Sequence, residues 1–272
     1  MLKIAIWGLG AMGAAIAERL RQAPDYEVLE FDIEPTNIRD ALAIGVIHGA
    51  FEPKEISEMP FDLVVIAVPP TETVAILQNL HTTNLIVDVA SVKRPIMTAT
   101  EYLPHFIGGH PMAGTDETGL NGRRKVMLEQ ARFFLICEKS DRQKVAELLA
   151  PLGSQFGTVT VEQHDALVAL TSDATHLIAD ALVATLGANE NKQKHAFVGP
   201  GFLDTTRIAA ASPDLWTQIL LNNRTATMAA VADFMTELTR LNDLVANGDA
   251  DQLLLALTNI QQIRRGLGLI YY

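Results

Sequence analysis

Three glycines near the N-terminus, Gly8, Gly10 and Gly13, stand in "GLGAMG" with the spacing G-x-G-x-x-G. Each glycine has its own use: a tight turn, close approach of the backbone to a pyrophosphate, and close packing of a helix on a strand. The pattern alone is weak. Here it follows the apolar run "KIAIW" and opens the helix-spaced "AMGAAIAERLRQA", the context that gives it meaning. Gly8 to Gly13, with Leu9, Ala11 and Met12 between the glycines, are therefore the expected phosphate-binding turn. The unpaired N–H groups of the helix would face the phosphates. Asp32 closes "YEVLEFD", about where a carboxylate meets the adenosine ribose hydroxyls. A carboxylate there would repel a 2′-phosphate, so NAD is expected over NADP. Arg39 is the nearby residue that argues the other way.

A second chemical group lies in "FIGGHPMAGTDETGL", where His110 sits between two glycines and a proline. Histidine titrates near neutrality and can take a hydroxyl proton while a hydride leaves the same carbon. A lone histidine is more often a structural hydrogen-bonder. Its place at the end of a strand, beside a cofactor, favours a general base. In an open parallel sheet, ligands bind beyond the carboxyl ends of the strands. Val68 and Pro69 follow the apolar "FDLVVIA", Ser91 follows "NLIVDV", and His110 follows "FIGG". A phosphate site, a ribose site, a hydroxyl and an imidazole are thus expected along one edge.

The elements that must position these groups fall into two sets. Up to residue 162, short apolar runs alternate with helical segments: "KIAIWGL", "YEVLEFD", "FDLVVIAVP", "NLIVDVAS", "FIGG", "ARFFLICE" and "GTVTVE". Continuous apolar strands alternating with helices predict a parallel sheet covered on both faces. From residue 163 to residue 272 only helical spacing is found. The expected fold is α/β: a Rossmann-type domain over 1–162, then an all-helical domain over 163–272. "HDALVALTSDATHLIADALVATLG" reads as one helix ending at Gly187. "SPDLWTQILLNNRTATMAAVADFMTELTRLNDLVANG" opens with Ser212 as N-cap and Pro213 in the first turn. Unbroken, it would be about 50 Å long. Such a helix cannot hide its apolar stripe in a small domain, so a partner helix from a second copy is expected, in a homodimer.

Composition excludes other classes. A net charge of -11 without a run of five like charges argues against nucleic acid and anionic membranes. No apolar stretch is expected to reach membrane-spanning length. The single cysteine, Cys137, reads as a small buried hydrophobe and fits a reducing cytoplasm. No metal site is expected.

The segments "DVASVK", "GGHPMAGT", "QHD" and "DTTRIAAASPDLW", in this order, resemble prephenate and arogenate dehydrogenases, the cyclohexadienyl dehydrogenases of tyrosine biosynthesis. The resemblance covers nearly the whole chain. It implies oxidative decarboxylation of a cyclohexadiene by NAD, with His110 as the catalytic base and Ser91 orienting the ring hydroxyl and the histidine. It also implies that Arg207 binds a substrate carboxylate, a role suited to its planar fork. Two positions depart from the family. "SDATH" keeps Ser172 and His176 of a Ser-His-Leu-Pro-His pattern, but Asp173 replaces its first histidine. Leu203 replaces a residue that is often basic. Asp173 reads either as a charge on a solvated helix face, close enough to pair with His176, or as part of an altered pocket for the substrate's side chain. Asp116 and Glu117 either line that pocket or face solvent. Prephenate is the expected substrate and arogenate the alternative. A β-hydroxyacid dehydrogenase is disfavoured because no K-x-x-N lysine follows Gln163. A non-catalytic dinucleotide sensor would not need both His110 and Arg207.

Overall fold

The computed structural model describes residues 1–115, 117–136 and 139–268. The expectations for Asp116 and Cys137 fall outside the described residues. Eight strands form one sheet: β1 (Leu2–Trp7), β2 (Tyr26–Phe31), β3 (Gly49–Ala50), β4 (Leu63–Ile66), β5 (Ile86–Asp88), β6 (Phe106–Pro111), β7 (Arg132–Ile136) and β8 (Gln155–Thr158). Their order is β3-β2-β1-β4-β5-β6-β7-β8. Neighbours run parallel except β6 and β7, which pair antiparallel. The order reverses between β1 and β4, next to the glycine turn, and a ligand crevice opens at such a reversal.

Side chains alternate across this sheet. Ile4 and Ile6 of β1, with Leu63 and Val65 of β4, pack on one face under helix α1 (Ala11–Arg21). Ala5, Val64 and Ile66 pack on the other, against the helix α2 (Pro70–Asn79). Both faces are covered, which is why these strands read as unbroken apolar runs.

Three strand-level expectations change, and one strand was not foreseen. β6 extends through Pro111, so His110 lies in the strand and not beyond it. Its pairing with β7, His110 opposite Phe134 and Pro111 opposite Phe133, holds the strand extended past the glycines. The sheet is not wholly parallel. β3 has only two residues, too few for an apolar pattern to reveal. "GTVTVE" is not a strand throughout: Thr160 caps a helix instead, its hydroxyl accepting from the N–H of Gln163 while the Gln163 side chain accepts from the N–H of Thr160. The T-x-x-Q spacing of that capping box was present in the sequence.

Helix α3 (Arg94–Ala99) follows β5. The helical part begins with α4 (Val161–Val168), passes through a π-turn at Ala169–Asp173, and continues as α5 (Ala174–Ala188). Together Val161–Ala188 is long and apolar enough to cross a bilayer, contrary to the expectation that no segment would be. His164, Asp165, Asp173 and His176 are nevertheless buried along it, and the first three bond to other parts of the chain. Helix α6 (Pro200–Thr206) leads to α7 (Pro213–Asn222), α8 (Arg224–Ala246) and α9 (Ala250–Gly268).

The single long helix expected from Pro213 is broken at Asn223, which takes a non-helical backbone (φ −108°, ψ 22°). The break lets its carboxamide donate to the Asp165 carbonyl at 3.0 Å and to the Asp173 carboxylate at 2.8 Å. The two pieces end as expected, with Ser212 accepting from the N–H of Leu215 at the start and Gly248 at φ +65° after the last turn. Large apolar side chains on α8 and α9, among them Leu238, Val245, Leu254 and Ile263, are more than half exposed.

Candidate active site

Gly8 has φ +112°, and a Cβ there would lie 2.6 Å from the carbonyl oxygen of Ala67. A Cβ on Gly13 would lie 1.9 Å from the carbonyl oxygen of Gly8. Turn and helix packing therefore both require glycine. At Gly10 a Cβ would meet nothing within 4 Å, and the residue caps α1. That open space in front of a helix N-terminus is where a pyrophosphate would lie against the backbone, so the turn fits a dinucleotide. Asp32, just past β2, fastens the turn: one carboxylate oxygen accepts from the N–H of Leu9 at 2.8 Å, the other from the N–H of Glu34 and the amide of Asn37. Arg39 pairs at the surface with Asp40. Pro69 caps α2, and Val68 and Pro69 offer their carbonyls to the Thr73 hydroxyl.

His110 is buried, with 9% of its surface exposed. Its Nδ1 lies 2.8 Å from Nε2 of His164 on α4, whose Nδ1 lies 2.7 Å from the Asp165 carboxylate. Asp165 also accepts from the backbone N–H groups of Lys93 and Arg94, in the turn after Ser91. The helical part thus reaches into the Rossmann domain at the end of β5. Burial raises the Asp165 pKa, but the hydrogen bonds from His164 and those two N–H groups outweigh it and leave the carboxyl below its ordinary value. Burial, then His164 and Lys93, push the His110 pKa well below the usual imidazole value. A neutral imidazole that can accept a proton is the result.

Lys93 and Asp88 form a completely buried ion pair behind this histidine. Asp88 also accepts from the N–H of Gly109 at 3.2 Å and from that of Ala90 at 3.0 Å. The pair thereby ties β5, the Ser91 turn and β6 together. Ser91 itself is half-buried in that turn.

The candidate substrate residues come from the helical part. His176 stacks on Trp216 of α7, with ring centroids 3.5 Å apart and 15° between planes. Its Nε2 is 3.6 Å from Asp180, and burial lowers its pKa. Asp173 is completely buried, which corrects the reading of a solvated charge. It does not pair with His176. One of its oxygens accepts from Asn223 and Thr227 of α8, and the other has no partner among the described residues. Burial raises its pKa. The π-turn that ends at Asp173 changes the register between it and α5. Ser172 is half-buried in the same turn, while Arg207 and Leu203 are exposed. Arg207 opens a 3-10 turn that packs on α5, the helix of His176. Glu117 is exposed.

His164, Asp165, Lys93, Asp88 and Trp216 were not singled out by residue type or spacing. They lie in the segments "QHD", "DVASVK" and "DTTRIAAASPDLW", which carried the family resemblance.

Two family models match the chain: "Prephenate dehydrogenase, nucleotide-binding domain" over residues 16–161 and "Prephenate dehydrogenase, dimerization domain" over residues 160–259. A prephenate dehydrogenase of Bacillus subtilis is 30% identical, the alignment covering 98% of this chain and 76% of that one. Among solved structures, a prephenate dehydrogenase from A. aeolicus in complex with hydroxyphenyl propionate and NAD+ superposes with a TM-score of 0.87 at 26% identity, covering 98% of both chains. A Synechocystis arogenate dehydrogenase superposes with a TM-score of 0.80 at 25% identity, covering 98% of this chain and all of the other.

Proposed function

Because the chain belongs to the prephenate dehydrogenase family, we propose that it catalyses the NAD-dependent oxidative decarboxylation of prephenate to 4-hydroxyphenylpyruvate, in tyrosine biosynthesis. NAD, when bound along the Gly8–Gly13 turn with its ribose on Asp32, supplies the hydride acceptor. His110 takes the proton of the ring hydroxyl as that carbon is oxidised, and the ring carboxylate leaves as carbon dioxide with aromatisation. The observation that carries this reading is His110 itself, buried, its pKa lowered, and fixed at the carboxyl end of β6, on the same edge of the sheet as the cofactor turn. Ser91 orients the hydroxyl and the imidazole. Arg207 binds a substrate carboxylate, with His176 on the helix its turn packs against and Ser172 in the π-turn before that helix.

The arogenate alternative rests on Asp173 and Leu203, which stand where the family often carries a histidine and a basic residue; both changes lower the local positive charge and favour a substrate with an ammonium group. We also place the division between the domains near residue 162. A homodimer forms through the exposed apolar faces of α8 and α9, in the cytoplasm. The break at Asn223 removes the argument from helix length, but not the one from those faces. The test is NADH formation from prephenate and from arogenate. NADH from neither would overturn the reading, and a higher kcat/KM for arogenate would decide for the alternative.

A further inference from the structure

The imidazole of His110 does not stand alone: His110 Nδ1, His164 Nε2, His164 Nδ1 and the Asp165 carboxylate form one buried chain of 2.8 and 2.7 Å contacts. The direction of its protons follows from its far end. Asp165 accepts from the N–H groups of Lys93 and Arg94 at 3.1 and 2.9 Å. A carboxylate so placed can only accept, so His164 Nδ1 must carry the proton it shares with Asp165. In the arrangement with one proton on each ring, His164 Nε2 accepts from His110 Nδ1–H, and His110 Nε2 keeps its lone pair.

We propose that His164 and Asp165 are positioning residues that fix His110 as the Nδ1–H tautomer. In that tautomer Nε2 is free to take the substrate hydroxyl proton. Neither residue touches the substrate. An isolated imidazole has no such constraint, and the opposite tautomer has no lone pair at Nε2 and cannot act there as a base. When Nε2 takes a proton, the Nδ1–H bond to His164 becomes a bond from a charged donor, and such bonds are about twice as strong as neutral ones. The ionised Asp165 behind His164 favours that change. Because His164 and Asp165 sit on α4 and His110 on β6, the base is set only when the helical part is docked on the sheet. The two N–H bonds to Asp165 place the turn after Ser91 by the same contact.

This assignment rests on His110 being the base, and the test separates the two ideas. Nitrogen NMR of isotopically labelled histidine, with His110→Asn used to assign the His110 signals, reports the tautomer without any turnover. The wild type should show a protonated Nδ1 and an unprotonated Nε2. In His164→Leu the tautomer should shift towards Nε2–H, and kcat should fall by roughly 10–10²-fold, the scale of an outer partner that orients a reacting histidine. KM and NAD affinity should stay within about two-fold of wild type if only positioning is lost. His164→Gln offers an oxygen near the old Nε2 and should recover much of kcat. Should His164→Leu fail to fold, the wild-type spectrum and His164→Gln still decide. Nε2–H at His110 in the wild type, or equal kcat in the Leu and Gln variants, would overturn the proposal. Full turnover in His110→Asn would instead remove the base assignment itself.

Discussion

Replacing Lys93 by Met isolates the buried ion pair behind the base. The variant keeps the backbone N–H that Lys93 gives to Asp165 and nearly the same side-chain length, but it leaves Asp88 without its cation. Breaking a buried pair costs about 3–5 kcal/mol. Asp88 retains two backbone donors, Ala90 and Gly109, so the lower end, about 3 kcal/mol, is expected near pH 8. The pH dependence has a definite sign. Burial raises the Asp88 pKa even with Lys93 opposing it. Without the lysine it must rise further. Between the folded value of the wild type and the higher one of the variant, only the variant's native state binds the extra proton, so the cost shrinks as pH falls, by up to about 1.4 kcal/mol per unit. Urea unfolding of both proteins at about pH 8 and about pH 5.5 measures this directly. The same lysine depresses the His110 pKa, so the acid limb of kcat/KM should move to higher pH in the variant. A loss below about 1 kcal/mol, or one that does not change with pH, would refute the claim that the two charges depend on each other in a dry interior.

Five further variants have expected outcomes. His110→Asn should lower turnover by roughly 10²–10⁴-fold with NAD binding retained, whereas Arg207→Ala should mainly raise KM, as steady-state kinetics with a separate NAD titration will show. Asp32→Ser should weaken NAD use and relax discrimination against NADP, and a wild type that already prefers NADP would show that Asp32 does not read the ribose. Asp173→His places a larger ring in a completely buried site and breaks the bonds to Asn223 and Thr227, so it should lower stability by about 2–4 kcal/mol in urea unfolding. The smaller change Asp173→Asn tests the arogenate alternative, because an unchanged prephenate-to-arogenate ratio of kcat/KM would mean that Asp173 does not meet the side chain.

Much of this molecule is written in local sequence. The glycine spacing after an apolar strand, Asp32 at the end of the next, the alternation of apolar runs with helical spacing, and the change to helix alone are patterns within a few turns or strands. Local sterics and the periods of helix and strand determine them. So is His110, because a strand end beside glycines and a proline can be read from neighbours. The chain by itself also held the capping box at Thr160, although a following valine and its β-branched neighbours made the segment resemble a strand. What only the tertiary structure decided depends on groups distant along the chain. The antiparallel β6–β7 pairing carries His110 into the sheet, and no local pattern states which edge a strand will join. Asn223 breaks a helix that propensity would continue, because its carboxamide satisfies Asp165 and Asp173 from another helix. Of the two readings of Asp173, the solvated one fails because the residue is buried, and burial is a property of what packs above a residue. The line from His110 through His164 to Asp165 spans 54 and 1 residues of separation. The first step exists only when helix and sheet are docked, and that docking sets which nitrogen of the base carries its proton.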